Sequence, residues 1–159
     1  MACALRRTPD AAQRLFMIQP RRKARRFALE VLYEAEVAGH DPAQVLQRRV
    51  AENDGLPEAL EFARQLVRGV AEHREAIDQV IARHAPGWPL DQVAPIDISV
   101  LRLGTYELLF GDTPEKVAIN EAVELGKRYG SDSTPRFVNG ALGAIARDRP
   151  RRVQPEESG

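Results

Sequence analysis

The run PIDISVLRLGTYELLF, from Pro95 to Phe110, sets apolar side chains at Ile96, Ile98, Val100, Leu101, Leu103, Leu108, Leu109 and Phe110. At helical spacing these positions occupy nearly every side. A helix that is apolar all round has no face to give to water and must be enclosed by its neighbours. This segment is therefore the expected centre of the second half, with Pro95 at its first turn. Asp97, Arg102 and Glu107 are its charges. Arg102 needs a partner inside the protein, and a carboxylate is the default.

Every other periodic segment also reads as helix, with no alternating strand and no Asn-Gly hairpin. The expected fold class is all-α, about seven helices in two packed subdomains of three and four. The first helix is expected from near Pro20 to a stop at Gly39. Ala24, Phe27, Ala28, Val31, Leu32 and Ala35 share one arc of it. Arg22, Lys23, Arg25 and Arg26 spread over the opposite arc, and Leu29 and Tyr33 fall within that basic face. Asp41 and Pro42 open a second helix that runs to about Asn53. Pro57 opens a third, which is one long helix or two broken near Gly69. The stretch Pro86-Gly87-Trp88-Pro89 is the expected hinge between subdomains at 19–86 and 87–147. Beyond the central helix, Gly111 to Pro114 is a loop. Ala118, Ala122, Leu125 and Tyr129 then form a stripe ending at Gly130, and Thr134-Pro135 opens the last helix. Residues 1–18 read as a disordered extension, with Met17 as an alternative start, and 148–159 as a disordered tail.

Composition narrows the function classes. The single cysteine, Cys3, excludes a disulfide framework and a cysteine metal cluster. No apolar run approaches the roughly 20 residues that span a bilayer, so no transmembrane helix is expected. The cysteine usage suits a reducing cytosol, and the cytoplasm is the expected location. There is no HExxH, Walker loop, Rossmann fingerprint or GxSxG. His40, His73 and His84 lack the convergent partners of a metal site and read as surface or edge residues. The carboxylates Glu72 and Glu75, and Glu121 and Glu124, read as solvated acidic faces. No catalytic residue, cofactor or metal is expected.

The net charge of zero conceals an asymmetry. Residues 1–26 carry eight basic groups against Asp10 alone, and residues 27–135 carry ten against nineteen acidic groups. Arg21, Arg22, Lys23, Arg25 and Arg26 fall at the start of a helix. Cations there face the positive end of the helix dipole, at a cost of roughly 0.3–1 kcal/mol each when exposed. A polyanion reverses that sign, because phosphates favour both the charges and the free N–H groups. Nucleic acid is the favoured anion. Tyr33 on this face suits stacking on an unpaired base, as in single-stranded RNA, as well as it suits covering a helix junction. Arg136 and Phe137 form a second aromatic–basic pair at a helix start. Asn139 and Gly140 suggest a close helix approach there.

The strings RRKARRFALEVLY (21–33), LVRGV (66–70), IDISVLRLGTYELL (96–109), KVAINEAVELGKRYG (116–130) and FVNGAL (137–142) resemble the NusB family of transcription antitermination factors, in order and spacing, across about residues 20–147. The resemblance implies binding to boxA RNA of ribosomal RNA transcripts together with NusE, the small-subunit ribosomal protein. It implies read-through by an RNA polymerase antitermination complex. Carried over by position, Arg21, Arg22, Lys23 and Arg25 fall in the arginine-rich RNA-binding segment. Tyr33 falls near the RNA and partner surface, Arg136 and Phe137 at an RNA-contacting helix start, and Asp97 on the partner-facing helix. Ile98, Gly126 and Pro135 depart from the family pattern, and Gly126 is expected to loosen its helix. Two other readings accompany the adaptor: an RNA-binding module related to ribosomal RNA methyltransferases, and a homodimeric scaffold with the arginines at its seam.

Overall fold

A computed structural model describes residues 11–52, 59–85, 87 and 90–149, with side chains from residue 19 onward. The described residues are helical: α1 (Ala11–Ala38), α2 (Pro42–Glu52), α3 (Leu60–Glu72), α4 (Arg74–His84), a 3-10 turn at Leu90–Gln92, α5 (Pro95–Leu109), α6 (Glu115–Tyr129) and α7 (Thr134–Asp148). The all-α expectation holds. The chain divides into two compact units, Met1–Arg68 and Gly69–Gly159. The division falls inside α3 and not at the expected hinge, where Pro86, Trp88 and Pro89 lie outside the described residues. Most of residues 1–18 and 148–159 also lie outside them.

In the first unit, α1 begins at Ala11, ahead of the expected start, and Pro20 lies within it. Ala11, Ala12, Gln13, Arg14 and Leu15 are good helix formers, so the helix extends N-terminally although proline removes one backbone bond. At the other end Gly39 takes φ 68°, and the His40 N–H donates to the Ala35 carbonyl at 3.0 Å. That is a Schellman stop, which glycine reaches without a Cβ penalty. The Asp41 carboxylate then accepts the Ala43 N–H at 3.2 Å and caps α2.

Charge pairs join α2 to α1. Arg49 reaches Glu30 at 3.0 Å and Glu34 at 3.7 Å, while Arg48 bonds Glu34 and reaches Glu52 at 3.2 Å. The Arg48 guanidinium holds the Glu34 carboxyl below its ordinary value of 4.5. A lowered carboxylate pKa stabilises the fold above 4.5, and the contribution disappears as pH falls through the lower folded value. Glu34→Gln is therefore expected to be less stable than the parent at pH 7. Urea unfolding at a series of pH values should show the difference closing below pH 4.5.

In the second unit, α5 packs against α4, α6 and α7, and every residue from Ile98 to Leu108 is buried. Gly104 makes the enclosure possible. A Cβ there would lie 2.7 Å from a Leu142 methyl on α7 and 3.1 Å from the Ala122 Cβ on α6. Three helices converge on one missing side chain. The buried Arg102 finds the carboxylate its sequence demanded. Its Nε donates to Asp78 Oδ1 at 2.8 Å, and a terminal nitrogen donates to Oδ2 at 3.1 Å. This two-pronged bond ties α4 to α5. Glu107, 2% exposed, accepts the Thr113 hydroxyl at 2.8 Å and organises the loop after α5.

Other positions depart from expectation. The third helical run breaks at His73, not near Gly69, and His73 stacks on Phe110 with centroids 4.0 Å apart. Glu121 is buried, unlike Glu72, Glu75 and Glu124. Asp78→Ala should lower stability by about 2–3 kcal/mol in chemical denaturation, because it removes the two-pronged carboxylate bond of the buried Arg102.

Candidate nucleic-acid interface

The basic segment occupies the middle of α1, which begins at Ala11, so the helix-start placement expected for it, with its dipole cost and free N–H groups, does not hold. Helix geometry sorts its side chains instead. Ala24, Arg25, Phe27, Ala28, Leu29, Val31, Leu32 and Ala35 are all buried. At 100° per residue they cover about 200° of arc, wider than the stripe expected from sequence. This burial corrects the sequence reading for Leu29, at 0% exposure, and for Arg25, at 3%. Neither belongs to an exposed basic face.

One physical reason for the burial of Arg25 lies on α3. The Arg25 guanidinium sits over the Phe62 ring at 5.1 Å from its centroid, and that of Arg21 sits over the same ring at 4.7 Å. An aromatic face holds a guanidinium through its quadrupole, so Phe62 contributes to the compensation of the buried Arg25 charge. Residues 21 and 25 are one turn apart, and Phe62 fixes both. The sequence reading missed Phe62. Its signal is faint: one aromatic in an otherwise ordinary amphipathic helix.

What remains outside is a narrower strip. Arg22 and Lys23 are exposed, Arg26 is half-buried, and Tyr33 is 41% exposed. Arg22, Arg26 and Tyr33 lie within about 40° of arc, with Arg26 about 6 Å and Tyr33 about 17 Å along the axis from Arg22. Two guanidinium-bearing positions and a phenol thus line one edge of the helix. Glu30 and Glu34 flank this edge, and Arg49 and Arg48 of α2 engage both. Those pairs leave the local field of the strip more positive than the α1 sequence alone suggests.

In the second unit, α7 opens at Thr134 with Arg136 exposed and Phe137 half-buried. Asp97, near the start of α5, accepts the Thr134 hydroxyl at 2.9 Å. Ile98 is 2% exposed and belongs to the core. Asn139 and Gly140 are exposed, and a Cβ at Gly140 would meet nothing within 4 Å. The expected close approach is instead at Gly126, where a Cβ would lie 3.2 Å from the Thr134 methyl. Gly126 therefore admits α7 rather than merely loosening α6. Among the described residues no group of His, Cys, Asp and Glu is arranged to hold a metal, and no helix is long and apolar enough to cross a membrane.

The NusB family model matches residues 22–147. The chain belongs to the NusB family. The match takes in Arg22, Tyr33, Asp97, Arg136 and Phe137, and begins one residue after Arg21. The transcription antitermination protein NusB of Dehalococcoides mccartyi is 43% identical over 132 residues, covering 82% of this chain and 92% of the relative. The NusB protein of Saccharopolyspora erythraea is 49% identical over 128 residues, covering 79% and 86%. The solved structure of T. maritima NusB aligns with a TM-score of 0.74 at 38% identity, over 82% of this chain and 92% of that one. A crystal structure of the antitermination factors NusB and NusE in complex with dsRNA aligns with a TM-score of 0.75 at 31% identity, over 84% and 100%.

Two outcomes test the sorting of the α1 arginines. Arg25→Ala should lower the unfolding midpoint, whereas Arg22→Ala should leave it nearly unchanged in a thermal melt. A double-mutant cycle between Arg21 and Phe62, using Phe62→Leu, should return a coupling of about 0.5–1 kcal/mol.

Proposed function

We propose that this chain is an RNA-binding transcription antitermination factor that binds boxA-type single-stranded RNA of ribosomal RNA transcripts together with NusE. In this reading it is an adaptor for the RNA polymerase antitermination complex, working in the cytoplasm without catalysis of its own. The observation that carries it is the α1 strip, where Arg22, Arg26 and Tyr33 share one edge. The relatives support it, since they are named transcription antitermination proteins, and one aligned structure holds NusB, NusE and RNA.

Mechanistically, Arg22, Lys23 and Arg26 supply charge for the phosphates, and counterion release drives capture. Tyr33 offers a ring for one unpaired base. Arg136 and Phe137 add a cation and an aromatic edge from α7. Arg21 contributes from its seat on Phe62, while Arg25 acts as a support beneath the strip, with its charge turned to Phe62. Asp97 and Tyr33 are the proposed contacts for NusE.

The RNA in the aligned complex is double-stranded; Tyr33 is the reason for favouring a single strand here. The test is a fluorescence titration with single-stranded boxA-type RNA and with the same sequence as a duplex, at two salt concentrations. Arg22→Ala with Arg26→Ala should weaken single-strand binding about tenfold or more. It should also reduce the slope of log affinity against log salt by about 1.4, from about 0.7 per phosphate contact on single strands. Unchanged affinity and slope would sink the role given to the strip.

A further inference from the structure

The first turn of α7 is held in place by a small polar network. Thr134 is 0% exposed. Its hydroxyl donates to Asp97 Oδ1 on α5 at 2.9 Å and accepts the Ser131 backbone N–H at 2.9 Å. The Ser131 hydroxyl approaches both the Thr134 and Ser133 hydroxyls at 3.2 Å. One buried oxygen thus joins the start of α5, the turn after α6 and the start of α7.

The surrounding helix is shaped for that oxygen. Gly126 and Gly130 lie one turn apart on the same side of α6. A Cβ at Gly126 would lie 3.2 Å from the Thr134 methyl, and one at Gly130 would overlap the Thr134 hydroxyl and Cβ. Gly130 has φ −90° and ψ −173°, which any residue adopts, so its backbone does not demand glycine. Space for Thr134 does. Gly126, inside α6, costs helix propensity relative to alanine, whereas Gly130 lies at the C-cap that ends the helix. The structure spends that propensity on seating one threonine.

We propose that the Asp97–Thr134 hydrogen bond is a positioning device for RNA binding. It sets the first turn of α7 so that Arg136, two residues beyond Thr134, is presented to the nucleic acid. In this device Asp97 acts within its own chain through Oδ1, a role separate from the NusE contact proposed for it above. Arg136 is the contact and Thr134 acts through it. A side chain two positions away on a helix points to another face, so Thr134 itself need not touch RNA. The inference rests on the RNA-binding reading above.

The test uses the full chain and a fluorescein-labelled single-stranded boxA-type RNA. Thr134→Val keeps shape but removes the hydroxyl. Thr134→Ser keeps the hydroxyl and is the conservative rescue. Arg136→Ala is expected to weaken binding about five- to tenfold and lower the salt slope by about 0.7. Thr134→Val should reproduce both changes, the double variant should be no worse than Arg136→Ala, and Thr134→Ser should bind like the parent. Thermal melts accompany each titration. If Thr134→Val does not fold, Asp97→Ala removes the acceptor from the other side and should show the same non-additivity with Arg136→Ala. Additive losses, an unchanged salt slope in Thr134→Val, or failure of Thr134→Ser to restore binding would overturn the positioning role. Absence of RNA binding by the parent would overturn the RNA-binding reading, and the positioning role with it.

Discussion

Enclosure of α5 on all sides is the constraint on which the second unit depends. A helix with Leu101, Leu103 and Leu108 at 0–1% exposure has no solvent face for its polar groups. Each costs stability unless it finds a partner within the fold, and among the described residues only the buried Thr105 hydroxyl has none. The solutions are local and specific. Ser99 donates back to the Pro95 carbonyl at 2.7 Å, Arg102 reaches Asp78, Glu107 receives Thr113, and Asp97 receives Thr134. These bonds tether α4, the α5–α6 loop and α7 to the one central helix. At the other end of α7, Arg149 donates to the Leu108 carbonyl at 2.8 Å. The helix that displays Arg136 is therefore fixed at both ends by α5.

The basic segment of α1 shows how one charge run divides its work. Five cations within six positions look equivalent in sequence. Burial separates them. Arg25 faces Phe62, where its positive charge is partly offset by an aromatic ring, and it supports the helix from beneath. Arg22, Lys23 and Arg26 remain toward solvent, where mutual repulsion is tolerable and a polyanion relieves it. Arg21 stands between these roles, exposed yet stacked on the same ring.

Much of the fold was legible because its signals are local. The all-round apolar character of 96–110, the helical stripes of α6 and α7, the Asp41 cap and the Gly39 stop each follow from residue chemistry at fixed spacing. The Arg102 pairing was legible as a need, although Asp78 as its answer was not, because the two are 24 residues apart. The burial of Arg25 and Leu29 was misread because a stripe projected from apolar residues alone underestimates the buried arc. An arginine can be core when an aromatic from another helix meets it. Phe62 and the Thr134 seat were illegible for the same reason: both depend on contacts between helices. Gly126 looked like a weakness in α6 and is the space α7 requires.

The central claim is that RNA meets Arg22 and Arg26 of α1 while Arg25 stays with Phe62. Arginine side-chain NMR during titration with single-stranded boxA-type RNA tests it most directly, by following each Nε–H resonance. The account predicts shifts for Arg22, Arg26 and Arg136, with Arg25 nearly unmoved. A large shift of Arg25 with Arg22 and Arg26 unchanged would contradict it.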